Sequence, residues 1–277
     1  MRALALALAC SVPVAAGALA ASREPAHRGA VRIAKIGPRP AGSRAEGRAH
    51  AVVKRAFRRA ALRVSVQRFR VPGHGRSRNV IGMFRTPASC LRIVMAHTDS
   101  VPAGPGANDN ASGVGVIIAL APRLRRIKPA CDVWLVATGA EERVYTGSKD
   151  HLGSLALARR VRARRLGRRL RWALSLDEVG LARGFLLRSP VARPRTRVES
   201  ELIRAAHRAG ASLPWRRDGG SGNSDHREFQ LLGLRAAKIG NATDDPCGHR
   251  ACDRADRLSR TTLRRARLIV ERALRIR

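Results

Sequence analysis

A chain of 277 residues has room for one large α/β domain with a proper core, or for two small domains. Its 55 Lys and Arg against 20 Asp and Glu give a formal net charge of +35, the balance of a polyanion binder. Aromatics at 3%, with a single Tyr, exclude a base-stacking surface, and the positive charge is scattered along the chain and is nearly all Arg, as a coding bias would leave it. Specific nucleic-acid binding is therefore not expected, whereas non-specific attraction to acidic surfaces is.

The chain opens on MRALALALACSVPVAAGALA, with a basic start, an unbroken run of small and apolar residues, and Ala18-Leu19-Ala20 as a small-residue cleavage pattern. This predicts a signal peptide over 1–20 and an exported, secreted mature protein. The run is Ala-rich and contains Pro13, which argues against a membrane anchor, and no later stretch is apolar enough for a membrane span. Turn signals cluster from Gly37 to Ser43. Ala51, Val52, Val53, Ala56, Phe57, Ala60 and Leu62 then recur at helical spacing over 44–62.

VSVQRFRVP alternates as a half-buried strand, and RNVIGMFR follows as another after the turn at PGHGRS. LRIVMA and DVWLVATG are continuous apolar runs, the pattern of strands buried on both faces of a mostly parallel sheet. Between them VGVIIALAPRLRRI reads as a helix ended by Pro129, which makes a βαβ unit. ARRVRARRLGRRLR at 158–171 reads as a solvated helix face, 173–180 as a strand, 199–210 as a helix, 234–241 as a late strand and 261–276 as an amphipathic helix. With no repeat, linker or boundary, the expected architecture is a single domain over 30–277. It is a three-layer α/β/α sandwich around a mixed, mostly parallel sheet.

Export changes how cysteines read, because thiols outside the cytoplasm tend to oxidise. Cys10 leaves with the leader, and Cys90, Cys131, Cys247 and Cys252 allow three pairings. Cys247 and Cys252, five apart, can close a small loop. Cys90 and Cys131 each precede a strongly apolar run, as at the starts of neighbouring parallel strands. Those two bridges are favoured, with buried free thiols as the alternative.

In open α/β sheets functional groups gather beyond the carboxyl ends of the strands. Here LRIVMA ends in His97-Thr98-Asp99, and DVWLVATG runs into Ala140-Glu141-Glu142. ALSL ends in Asp177-Glu178, and the late strand leads to DDPCGH, ending in His249. Singly these read as caps and surface charge. Together they form the inventory of a hydrolytic zinc site, in which imidazole and carboxylate bind the metal. Two metals about 3.5 to 4 Å apart need a bridging carboxylate. Asp109, set among small residues in GANDNASG, is the candidate.

The series HTDS, GANDNASG, GAEE with GS five residues on, SLDEVG, SDHREF and DPCGHRACD resembles the co-catalytic di-zinc aminopeptidase family, which includes secreted bacterial leucyl aminopeptidases. The resemblance begins at IGPRPAGS, includes RNVIG and runs nearly to the C-terminus. It implies a zinc exopeptidase fold and two Zn2+ ions, one held by His97, Asp109 and Asp177, the other by Asp109, Glu142 and His249. It further implies that Asp99 is a carboxylate orienting His97, that Glu141 is the general base, and that the Asp109-Asn110 peptide bond is cis. Peptide or protein N-termini are the implied substrate, received by carboxylates near the metals, and a monomer is expected. Asp225 and His226 of SDHREF belong to a motif near the site and are read as supporting or structural residues. His74, His151 and His207 lack motif support and are expected at the surface.

One position departs from the pattern. Secreted members commonly carry Tyr before the last metal histidine, where its hydroxyl can meet the developing oxyanion; here the residue is Gly248. Loss of such a donor costs about a hundredfold or more in rate. The alternative readings are a carboxypeptidase or glutaminyl cyclase on the same fold, and a basic polyanion-binding protein with a relict metal site. Cyclases of this resemblance tend to lose ligands of the two-metal set, and this chain retains all of them.

Overall fold

The computed structural model describes residues 24–194 and 197–277; the expected leader, with Cys10, lies outside the described residues. One eight-stranded sheet runs through the molecule in the order β1-β2-β4-β3-β5-β8-β6-β7. The strands are β1 (Arg63–Val71), β2 (Gly75–Phe84), β3 (Leu91–His97), β4 (Asp132–Thr138), β5 (Leu170–Leu176), β6 (Phe185–Ser189), β7 (Trp215–Arg217) and β8 (Ala236–Asn241). The centre, β4-β3-β5-β8, is parallel. The β1-β2 hairpin joins antiparallel on one side, and β6 joins antiparallel on the other.

Helices cover both faces. On one lie α1 (Pro25–Ala34), α2 (Arg44–Arg59), α3 (Ser112–Leu120), α5 (Glu199–Arg208) and α7 (Arg260–Arg275), and on the other α4 (Leu152–Ala163) and α6 (His226–Leu231). This is the expected three-layer sandwich. Every residue of β3 and β4 is buried, which explains their unbroken apolar runs. Arg92, the one charged residue within the β3 run, is 1% exposed and donates to Glu201 at 2.6 Å and to the Leu274 carbonyl at 2.9 Å. A cation in the core is tolerated only when so paired.

Local chemistry fixes the helix ends. Ser43 accepts from the Glu46 N–H at 3.1 Å, while the Glu46 carboxylate accepts from the Gly42 N–H at 2.9 Å, a variant of the reciprocal capping box. The helix expected over 114–127 is interrupted after Leu120 by a tight turn, Ala121–Arg123, because Pro122 has no N–H to continue the ladder. The basic run at 158–171 is helical only to Ala163 before turning at Leu166–Arg168 into β5, which starts earlier than its sequence pattern suggested. No helix among the described residues is long and apolar enough to cross a membrane.

Both favoured disulfides are formed, Cys90–Cys131 and Cys247–Cys252. The first staples the residues preceding β3 and β4, where the Asp132 N–H also donates to the Cys90 carbonyl at 3.0 Å. It closes a separation of 41 residues, so replacing both Cys90 and Cys131 by Ser is expected to lower unfolding free energy by about 3–4 kcal/mol. Urea denaturation measures this; a loss below about 1 kcal/mol would show that the unfolded chain is not constrained by the bridge.

Candidate functional site

The polar residues gather where the strand ends predicted. His97 is the last residue of β3, Glu141 and Glu142 follow β4, and Asp177 follows β5 directly. Asp109 comes from the turn before α3, and His249 from the loop closed by Cys247–Cys252. His97 Nε2 lies 3.1 Å from Asp109 Oδ1 and 3.3 Å from Asp177 Oδ1. His249 Nε2 lies 3.2 Å from Asp109 Oδ2 and 3.0 Å from Glu142 Oε2. The two oxygens of Asp109 thus face different imidazoles. His97, Asp109 and Asp177 form one group, and Asp109, Glu142 and His249 another, each with its donor atoms within 4.8 Å of one another.

The turn that carries Asp109 is held from several sides. The Asn108 and Asp109 N–H groups donate to the Asp253 carboxylate at 2.8 and 3.0 Å. The Asn110 amide donates to the Leu176 carbonyl at 2.8 Å and accepts from the Gly113 N–H at 3.0 Å. The Asp109-Asn110 peptide bond is cis, as the resemblance implied. A Cβ at Gly113 would sit 2.4 Å from the Leu176 carbonyl oxygen, so the small residues of GANDNASG let this turn press against the end of β5. Arg39 of IGPRPAGS, fully buried, donates to the carbonyls of Gly37, Thr98, Pro105 and Gly106, tying the loop after β3 to this turn.

Asp99 works somewhat differently from the expectation. His97 Nδ1 is 3.2 Å from the main-chain oxygen of Asp99 and 3.8 Å from its carboxylate, which instead accepts from the Glu142 N–H at 3.0 Å. One residue therefore orients the donors of both groups, His97 through its carbonyl and Glu142 through its side chain. Asp225 and His226 are buried outside both groups. Asp225 accepts from the Thr138 hydroxyl at 2.6 Å, and His226 Nε2 lies 2.7 Å from Asp218.

Two residues of the site lie outside the sequence expectations. Lys238, from β8, places Nζ 2.8 Å from Asp177 Oδ2 and so leaves the other oxygen of Asp177 toward His97. His151 corrects an expectation. It is 2% exposed, not a surface residue, and its Nδ1 lies 2.9 Å from the Glu141 carbonyl and 3.0 Å from Glu141 Oε1. Of the other two histidines, His207 is exposed, whereas His74 is half-buried with its ring centroid 4.4 Å from that of Tyr145 and tilted by 43°.

Asp109, Glu141, Glu142, His151, Asp177, Lys238 and His249 line a cleft of about 370 Å³ together with Arg143, Val144, Asn223, Asp244 and Gly248. Its electrostatics are set by crowded, buried carboxylates. Burial, reinforced by Asp177, Asp109 and Asp99 against the pull of His97, pushes Glu141 up to about 8. Burial, with the neighbouring Asp109 charge, pushes Glu142 and Glu178 to about 8 as well. Hydrogen bonds donated to the Asp109 and Glu142 carboxylates raise His249 to about 11. The metal-free cluster must therefore take up protons to offset its crowded carboxylates, and Glu142 Oε1 is buried with no hydrogen-bond partner. Divalent cations would satisfy that charge, and a His and carboxylate donor set in two threes sharing Asp109 suits zinc.

The sequence profile of peptidase family M28 matches residues 79–274. The chain belongs to peptidase family M28. Its relatives include aminopeptidase YwaD of Bacillus subtilis, 39% identical over 90 residues, which are 30% of this chain and 20% of YwaD. The chain thus spans about a fifth of that relative's own length. Among solved structures, BSAP, a zinc aminopeptidase from Bacillus subtilis, superimposes with a TM-score of 0.80 at 19% identity, covering 90% of this chain and 93% of BSAP. A glutaminyl cyclase from Bacteroides thetaiotaomicron does so with a TM-score of 0.79 at 20% identity, covering 90% and 96%. At such identities the likeness speaks for the M28 fold, and the chemistry must be argued from this chain's own residues.

Proposed function

We propose that this M28 chain is an exported zinc aminopeptidase, with one catalytic domain that begins at α1 (Pro25–Ala34), a few residues before the expected start at 30. The observation that carries the reading is the pair of complete donor sets meeting at Asp109 beside Glu141. Zinc held by His97, Asp109 and Asp177, and by Asp109, Glu142 and His249, would supply Lewis-acid polarisation of the scissile carbonyl and a lowered pKa for the attacking water. Glu141, lining the same cleft, takes the proton of that water and returns it to the leaving amine. Asp99 keeps His97 and Glu142 in register, and Lys238 holds Asp177.

The lining also favours one end of a peptide. Seven carboxylates line the cleft with Lys238 and Arg143, and Asp245 among them is paired with Arg257, so two divalent cations would balance most of that charge. Glu178 and Asp244 line it too and belong to neither donor group, so they can accept from an α-ammonium, which supports an aminopeptidase over a carboxypeptidase. The two disulfides fit an oxidising compartment.

The purified protein is expected to release the chromophore from leucyl-p-nitroanilide and to leave its N-acetylated counterpart uncut. Dialysis against a chelator should abolish turnover, and added zinc should restore it. A protein that binds no zinc, or that cleaves the blocked substrate equally well, sinks the reading. Metal-free protein that holds heparin tightly would point instead to polyanion binding. Conversion of an N-terminal glutamine peptide to pyroglutamate without hydrolysis would mark the cyclase reading.

A further inference from the structure

The geometry points to His151 as a positioning residue for Glu141. The inference rests on the aminopeptidase reading and concerns the group assigned there as base. His151 Nδ1 faces two oxygens of the same residue, the Glu141 carbonyl at 2.9 Å and Oε1 at 3.0 Å. The ring N–H donates to the Glu141 carbonyl, and the same nitrogen stays beside the Glu141 carboxylate, so one imidazole meets both the main chain and the side chain of Glu141.

The backbone that carries the imidazole is itself fixed by main-chain hydrogen bonds. His151 precedes α4, its N–H donates to Glu228 Oε1 at 3.1 Å, and its carbonyl accepts from Ser154 Oγ at 3.1 Å and from the Leu155 N–H at 2.9 Å. The next N–H, of Leu152, donates to the Ala140 carbonyl at 3.0 Å, joining the start of α4 to the segment that carries Glu141 and Glu142. His151 is 2% and Glu141 6% exposed, and both line the same cleft. A base must sit within hydrogen-bond reach of the proton it takes, and a misplacement of about 1 Å can cost about a hundredfold. His151 removes that freedom. It contributes through Glu141 and belongs to neither of the two metal-binding groups.

The test uses the zinc-loaded protein and three variants. His151→Phe keeps a ring of similar size without the N–H, and kcat for leucyl-p-nitroanilide is expected to fall about ten- to a hundredfold with KM within about twofold and zinc content unchanged. His151→Asn, whose amide can donate to both oxygens, is expected to recover kcat to within about threefold of wild type. The Nδ1 proton resonance of His151 is expected to shift in Glu141→Ala, a readout that needs no turnover. Unchanged kcat in His151→Phe, equal losses in the Phe and Asn variants, or a resonance indifferent to Glu141→Ala would each overturn the inference. Wild-type protein without turnover would instead overturn the aminopeptidase reading, and the resonance then decides the contact between His151 and Glu141 alone.

Discussion

Asp109→Ala is expected to empty both metal sites at once and to lower turnover by about a thousandfold or more. The two oxygens of Asp109 face His97 and His249 respectively, and both donor groups include it. Removing it leaves each site with one imidazole and one carboxylate, too few for tight zinc binding. Loss of the several kcal/mol that metal supplies to a transition state corresponds to at least three decades in rate. Zinc per chain, measured after gel filtration, distinguishes bridging from simple ligation. Glu142→Gln weakens only the group with His249, and Asp177→Asn only the group with His97. If Asp109→Ala keeps one zinc with wild-type affinity, Asp109 does not bridge. The turn itself should survive, because it is held by the Asn108 and Asp109 N–H groups on Asp253 and by Asn110, none of which uses the Asp109 carboxylate.

The site was largely legible in sequence for a physical reason. β3, β4 and β5 are buried almost throughout, so each writes a continuous apolar run, and the first polar residue after such a run marks the sheet edge where the cleft opens. His97, Glu141, Glu142 and Asp177 all stand at those transitions. His151 left no such mark. Its partner lies ten residues back across a chain reversal, and only the fold brings the start of α4 against Ala140 and Glu141. Lys238 did leave one, as the sole charged residue in the strand Ala236–Asn241, a position that buries a cation only beside a carboxylate.

The fold was less legible at its edges. β7 is three residues long with two exposed arginines, so it has no apolar face to read. α1 contains Gly29, which weakens a helical pattern on propensity grounds. In the structure that glycine has another use, since a Cβ there would lie 3.1 Å from the Gly115 Cα, where α1 crosses α3 closely. Tertiary packing decides such a residue.

Glu141→Gln separates chemistry from metal binding. Glu141 belongs to neither donor group, so the variant should keep wild-type zinc content and a KM within about threefold, while kcat falls by about a hundredfold to ten-thousandfold because the amide accepts no proton. Turnover at the wild-type rate would remove Glu141 from the role of base. A second readout concerns the folded chain. In the metal-free protein burial raises Glu141 from 4.5 to about 8, so the folded state binds its proton more tightly than the unfolded state does. Stability from this group is then present below pH 4.5 and is lost as pH rises toward 8, where the buried carboxylate must ionise. Glutamine cannot ionise. Metal-free Glu141→Gln should therefore lose less stability than metal-free wild type between pH 5 and pH 8, measured by denaturant titration at each pH, and parallel losses would show that Glu141 keeps an ordinary carboxylate affinity for its proton. Because Glu142 and Glu178 are raised for the same reason, part of the pH dependence should persist in the variant, and zinc should suppress the part that comes from the two donor groups.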